Sequence, residues 1–188
     1  MFQLATTLRL LGILVALFSL TMLPPALVGL IYGEQSLWVF LQAFGILFGV
    51  GVLIWAPFSR AYGDLQIRDG FVVVVMFWLV LGLFGALPLY LDPMLHISVT
   101  DAVFESMSGL TTTGATVIIG LDDLPRAILW YRQQLQWLGG MGIIVLAVAI
   151  LPLLGIGGMQ LFRAEMPGPL KDNKLAPRIA ETARNLWF

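Results

Sequence analysis

The sequence predicts an all-α integral membrane protein in which a helical hairpin precedes one unit of helix, re-entrant loop and helix. Three observations carry that prediction. Hydrophobic residues make up 59% of the 188 and mean hydropathy is +0.93, well beyond the roughly 45–50% apolar content of ordinary soluble domains. Four apolar stretches each approach the roughly 20 residues that a helix needs to cross a bilayer. Between the third and fourth lies a segment rich in small polar residues, Ser108-Gly109-Leu110-Thr111-Thr112-Thr113-Gly114-Ala115. Irregular backbone at membrane depth is tolerated only when it is buried in protein or lines a watery path.

The first span runs from about Leu8 to Ile31. It is too long, and too weakly basic ahead of its apolar stretch, for a cleaved signal peptide, so it is read as a retained helix. Pro24 and Pro25 interrupt it, where they should bend the helix or free a carbonyl. The second span covers Leu37 to Ala56, the third Phe71 to Leu91 and the fourth about Ala127 to Leu154. Basic residues set the expected orientation. Arg9, Arg60, Arg68, Arg163, Lys171, Lys174, Arg178 and Arg184 fall in segments that are then cytoplasmic, as is the N-terminus. The turn Gly33 to Ser36 and the acidic stretch from Asp92 to Arg126 belong outside, with Arg126 and Arg132 snorkelling at the outer end of the fourth span. A formal charge of −1 gives no basic excess for nucleic acid, and the absence of cysteine removes disulfides and thiolate metal sites.

Roughly 35 residues without structure would be unusual between two helices, and the outer segment carries a helix signal. Ser98-Val99-Thr100-Asp101 fits a capping box, Ala102, Val103, Phe104 and Met107 follow, and Gly109 should end the run. A helix over about 99–108 spans only about 15 Å at 1.5 Å per residue, half the hydrocarbon thickness, so it enters the membrane without crossing it. Its C-terminal carbonyls then favour a cation near mid-membrane. The chain must climb back through 111–116, where successive carbonyls can replace the hydration shell of a potassium ion.

Asp101-Ala102-Val103-Phe104-Glu105-Ser106-Met107-Ser108-Gly109-Leu110-Thr111-Thr112-Thr113-Gly114-Ala115 resembles the first pore loop of the Trk/Ktr/HKT superfamily of potassium transporters. Gln136-Trp137-Leu138-Gly139-Gly140-Met141-Gly142 and Gly155-Ile156-Gly157-Gly158-Met159-Gln160-Leu161 resemble the following helix in its Trk-H type, so the likeness covers essentially the whole chain. The resemblance implies a potassium-channel-like fold and potassium uptake across the bacterial inner (cytoplasmic) membrane. It implies that Gly114 is the filter glycine and that Thr111, Thr112 and Thr113 supply neighbouring oxygens to potassium. It also implies three further pore units in the same polypeptide, a homodimer partner and cytosolic nucleotide-binding regulatory subunits of the Trk-A type. No organic cofactor and no enzymatic activity are expected.

The expected organisation is a transmembrane hairpin over 1–56, a cytoplasmic loop over 57–69, the helix, pore-loop, helix unit over 70–161, and a connector over 162–188. One filter segment cannot enclose an ion. The expectation is therefore an N-terminal portion of a longer transporter, with Asn185-Leu186-Trp187-Phe188 opening the next apolar segment. The alternatives are a short chain that conducts only as a homo-tetramer, or a non-conducting membrane subunit or scaffold. Whether transport is passive, gated or coupled as in symport depends on later repeats and partners.

Other residues are read more plainly. Glu105 should bond structurally behind the filter, Arg132 should lie at the surface or at lipid headgroups, and Asp122 and Asp123 should form an exposed acidic turn. Ser106, Ser108 and Gly109 divide evenly between close helix packing and the ion path. Gly139, Gly140, Gly142, Gly155, Gly157 and Gly158 are packing or hinge positions, since their spacing does not match a dinucleotide loop. A hydrolase using Ser108 with His96 as base is disfavoured, because His96 precedes the short helix and Ser108 lies at its deep end.

Overall fold

The computed structural model describes residues 4–60 and 67–153, with the side chains of 67–71, 73, 74 and 143–153 left aside. The connector 162–188, the Gly155–Leu161 motif, the expected start of a further apolar segment at 185–188, and Arg68 as an orientation signal lie outside these descriptions. All regular structure among the described residues is helical. The chain divides into two compact units, 1–139 and 140–188. Within the second, the described residues 140–153 are the C-terminal part of a helix.

The first apolar run forms α1 (Leu4–Ser19), a 3-10 turn over Leu20–Met22, and α2 (Leu23–Tyr32). The turn follows from the prolines. Pro25 has no N–H for the carbonyl of Thr21, four residues back, and that carbonyl instead accepts from Nε2 of Gln134 at 2.8 Å. Ser19 and Thr21 turn their hydroxyls onto the carbonyls of Ala16 and Phe18. Gly33 closes α2 at φ 67, in the left-handed region that glycine adopts without cost, and the N–H of Glu34 reaches the carbonyl of Gly29 at 2.8 Å.

The second run is α3 (Ser36–Trp55), which packs antiparallel on α1. Their close approach is set by glycine. A Cβ on Gly12 would lie 2.6 Å from the backbone nitrogen of Trp55, and one on Gly51 2.6 Å from that of Ala16. Small residues at such crossings let two helix backbones pack without intervening side chains, the main source of helix association in lipid. Leu4–Tyr32 and Ser36–Phe58 are each long and apolar enough to cross a membrane.

The third run is α4 (Ile67–Gly85), followed after a one-residue break by α5 (Leu87–Leu91). Pro88 removes a donor from the ladder. The adjacent carbonyl of Gly85 is taken by the hydroxyl of Tyr131 at 2.8 Å. Tyr131 is fully buried and meets the ring of Phe40 edge-on at 5.3 Å. A short helix, α6 (Val99–Leu110), precedes an irregular return strand and α7 (Arg126–Leu153). Phe18, Met22, Phe40, Leu47, Leu89, Leu110, Ile128, Tyr131 and Leu135 form the buried core joining these helices.

Two acids of the segments expected outside the membrane tie this arrangement together. Asp92 is 3% exposed and takes the hydroxyl of Ser36 at 2.6 Å and the N–H of Met94 at 2.9 Å. Glu34 reaches across to the start of α7, accepting from the N–H of Arg126 at 2.8 Å and of Ala127 at 3.0 Å. A carboxylate there satisfies amides that have no helical partner and complements the positive end of the helix dipole. The Arg126 guanidinium lies 4.2 Å above the Tyr32 ring.

Candidate functional site

The short helix forms as its opening residues dictate. Asp101 N–H donates to the Ser98 hydroxyl at 3.2 Å and Ser98 N–H to the Asp101 carboxylate at 3.2 Å, a complete capping box. The helix then runs 12 residues, about 18 Å at 1.5 Å per residue. It ends at Leu110, not at Ser108. Gly109 is helical, and its missing side chain makes room for Leu135, whose Cβ would sit 3.0 Å from a Cβ there. The stop comes from Thr112, which takes φ 56.

α6 packs on α4 through the same logic of small residues. A Cβ on Gly82 would collide with the end of the Met107 side chain, and one on Gly85 with the Ser106 hydroxyl. The Ser106 Oγ is buried with no hydrogen-bond partner among the described residues. Ser106 and Gly109 are thus packing positions. Gly139 serves likewise, since a Cβ there would overlap the carbonyl oxygen of Leu110.

Beyond the helix the backbone turns back on itself. Thr112 N–H bonds the Gly109 carbonyl at 2.9 Å, while Thr113 and Gly114 N–H groups both point at the Ser108 carbonyl, at 3.0 and 3.3 Å. Gly114 takes φ 73. The Ser108 hydroxyl donates to the Ala115 carbonyl at 2.6 Å, which excludes it as a primed nucleophile, and His96 is exposed two residues ahead of the N-cap. The Thr111 hydroxyl donates to the Met107 carbonyl at 2.8 Å and lies 2.8 Å from that of Thr113.

Thr111, Thr112, Thr113 and Gly114 therefore sit together on one exposed turn at the C-terminal end of α6. Their N–H groups are directed back at the helix, and no donor among the described residues reaches their four carbonyl oxygens. Carbonyl oxygens without donors beside the negative end of a helix dipole suit a cation.

Glu105 braces the loop from behind, as its sequence position suggested. One carboxylate oxygen accepts from the Thr116 hydroxyl at 2.6 Å and from Val117 N–H at 2.7 Å. The other pairs with Arg132 at 2.9 Å. This corrects the expectation for Arg132: its side chain is 15% exposed and faces a carboxylate that is 1% exposed, not headgroups or bulk water. The pairing brings together residues 27 positions apart, which no local pattern signals. Glu105, Ser108, Gly114, Arg132 and Gln136 line a cavity of about 10 Å³ behind the turn, room for about one water. Asp122 and Asp123 lie on an exposed 3-10 turn.

Comparison with known proteins gives this geometry a class. A profile of a family described as cation transport protein, TrkH, matches residues 36–188. The Trk system potassium uptake protein TrkH of Halomonas elongata is 61% identical over 181 residues, 96% of this chain and 38% of that protein. TrkG of Escherichia coli K12, a Trk system potassium uptake protein, is 53% identical over 177 residues, 94% of this chain and 36% of its own. The crystal structure of the potassium transporter TrkH from Vibrio parahaemolyticus superposes with a TM-score of 0.80 at 54% identity, covering 99% of this chain and 36% of that one. The fold is that of a helical membrane protein, and the matching family is one described as cation transport.

The chain belongs to the TrkH family. It spans a little over a third of the length of the relatives it matches.

Proposed function

We propose that this chain supplies one of four units around a potassium path, with the carbonyl oxygens of Thr111, Thr112, Thr113 and Gly114 replacing part of the ion's hydration shell. The observation that carries the reading is the outward turn at 111–114, whose amides bond back to α6 while its carbonyls remain free of donors among the described residues. The left-handed backbone at Gly114 supports it, because glycine adopts that conformation without cost where other residues do not. The position of the turn at the C-terminal end of a 12-residue helix adds a favourable dipole.

In this reading the pore unit follows a separate N-terminal hairpin, and three further pore units complete the ring of oxygens. The N-terminus faces the cytoplasm of a bacterial inner membrane, potassium enters from the side of the α6 N-terminus, and the assembly is a homodimer contacting cytosolic nucleotide-binding subunits. The uptake named for the relatives is the activity proposed for the protein that contains this chain.

A chimera in which this chain replaces the matching first third of a Trk relative, expressed in a bacterium lacking potassium uptake, tests the proposal. Growth on low potassium and rubidium accumulation are the expected outcome. A chimera that reaches the membrane and assembles but moves no rubidium would leave the scaffold reading in its place.

A further inference from the structure

We propose that Glu105 and Arg132 form a clamp that positions the ion-coordinating turn and so helps set discrimination between potassium and sodium; the inference rests on the reading of 111–114 as a filter. Glu105 and Ser108 are three residues apart on α6 and therefore share a face of that helix. Each holds the returning strand at a different point. Ser108 takes the amides of Thr113 and Gly114 on its carbonyl and donates its hydroxyl to the Ala115 carbonyl. Glu105 takes the Thr116 hydroxyl and the Val117 amide on one oxygen. The segment 113–117 is thus fastened at both ends to one rigid helix, and the carbonyls of Thr113 and Gly114 are set by those two anchors.

Arg132 makes this use of a carboxylate compatible with an ion path. An uncompensated buried carboxylate would be costly and would bind cations indiscriminately. Here the second oxygen of Glu105 is occupied by the Arg132 guanidinium at 2.9 Å, and the same nitrogen donates to the Thr116 hydroxyl at 3.2 Å. The Thr116 oxygen also accepts from Ile118 N–H at 3.1 Å. With both carboxylate oxygens engaged, Glu105 is a strong acceptor without being a cation ligand. A single guanidinium nitrogen reaches both the carboxylate and the neighbouring hydroxyl, and the guanidinium stays charged under all ordinary conditions. Glu105 and Arg132 are positioning residues; they act on the ion only through Thr113 and Gly114.

The test uses the complete chimera, reconstituted after size-exclusion chromatography. The potassium-to-sodium permeability ratio is measured for Glu105→Gln, Thr116→Val, Arg132→Lys and, as a control on the filter itself, Gly114→Ser. Glu105→Gln keeps the shape but leaves Arg132 unpaired, and the ratio should fall about tenfold, the weight of a charge-assisted hydrogen bond. Thr116→Val removes one anchoring hydroxyl and keeps the ion pair; a several-fold fall is expected. Arg132→Lys should fall between these two and the parent. A merely structural clamp would lower the yield of assembled protein and leave the ratio of the remainder unchanged.

Parental ratios in Glu105→Gln and Thr116→Val, with a reduced ratio in Gly114→Ser, would overturn the clamp and leave the filter reading standing. A parental ratio in Gly114→Ser as well would remove both. If Glu105→Gln does not assemble, Thr116→Val decides alone: a reduced ratio supports the clamp and a parental one overturns it.

Discussion

Gly114→Ser tests the turn most directly, and its effect can be estimated from the geometry. Gly114 sits at φ 73. A residue with a Cβ in that region carries a penalty of roughly 1–2 kcal/mol. Space is not the obstacle, since the nearest atom to a Cβ there is Nε2 of Gln136 at 3.5 Å, an ordinary contact. The strain is relieved by rotating the peptide that joins Thr113 to Gly114, and that rotation reorients the Thr113 carbonyl. If 1–2 kcal/mol of the preference for potassium depends on that carbonyl, selectivity falls about 5–30-fold.

The assay is the reversal potential, or rubidium uptake in competition with sodium, on reconstituted chimera. Gly114→Ala measured alongside separates the two contributions, because it carries the backbone strain without adding a hydroxyl oxygen. Equal losses in both variants assign the effect to the backbone. A folded, assembled Gly114→Ser protein whose selectivity stays within about twofold of the parent would refute the reasoning, since it would mean that no left-handed backbone is needed for discrimination.

Three further outcomes follow from the same structure. Thr112→Asn should raise the melting temperature in a detergent thermal-shift assay by relieving roughly 1 kcal/mol of strain, because Asn tolerates φ 56 and a β-branched residue does not. Glu34→Ala should destabilise by about 1–2 kcal/mol by uncapping α7, seen as a lower melting temperature. Gly139→Ala should abolish assembly on size-exclusion chromatography, since its Cβ would overlap the Leu110 carbonyl, whereas Gly45→Ala, with nothing within 4 Å, should assemble like the parent.

The helices and their order were legible in the sequence because hydropathy and capping are local. Leu37 to Ala56 reads as one apolar run, and α3 forms over Ser36–Trp55. Ser98 and Asp101 announce a helix start within four residues, and the capping box is there. Pro24 and Pro25 announce a freed carbonyl, and Thr21 supplies it. The identity of the donor, Gln134, could not be read because it lies 113 residues further on.

The same distance in sequence hid the polar ties. Ser36 with Asp92, Glu34 with the first amides of α7, and Arg132 with Glu105 look locally like surface charges, and only the packed helices bring them together. Glu105 was readable as structural because buried carboxylates in membrane segments need partners, but not which partners. The end of α6 was misjudged by two residues because glycine usually marks a helix terminus, and here Gly109 instead admits Leu135. Nothing local foretells φ 56 at Thr112, since threonine ordinarily avoids that region.

The bond from Glu34 to the start of α7 bears on how the protein is made. The first amides of a helix have no acceptor of their own within it. Here the acceptor lies 92 residues earlier in the chain. Since synthesis runs from the N-terminus, Glu34 is in the chain before the amides of Arg126 and Ala127 that it serves. A single carboxylate thereby couples the turn of the leading hairpin to the first turn of α7.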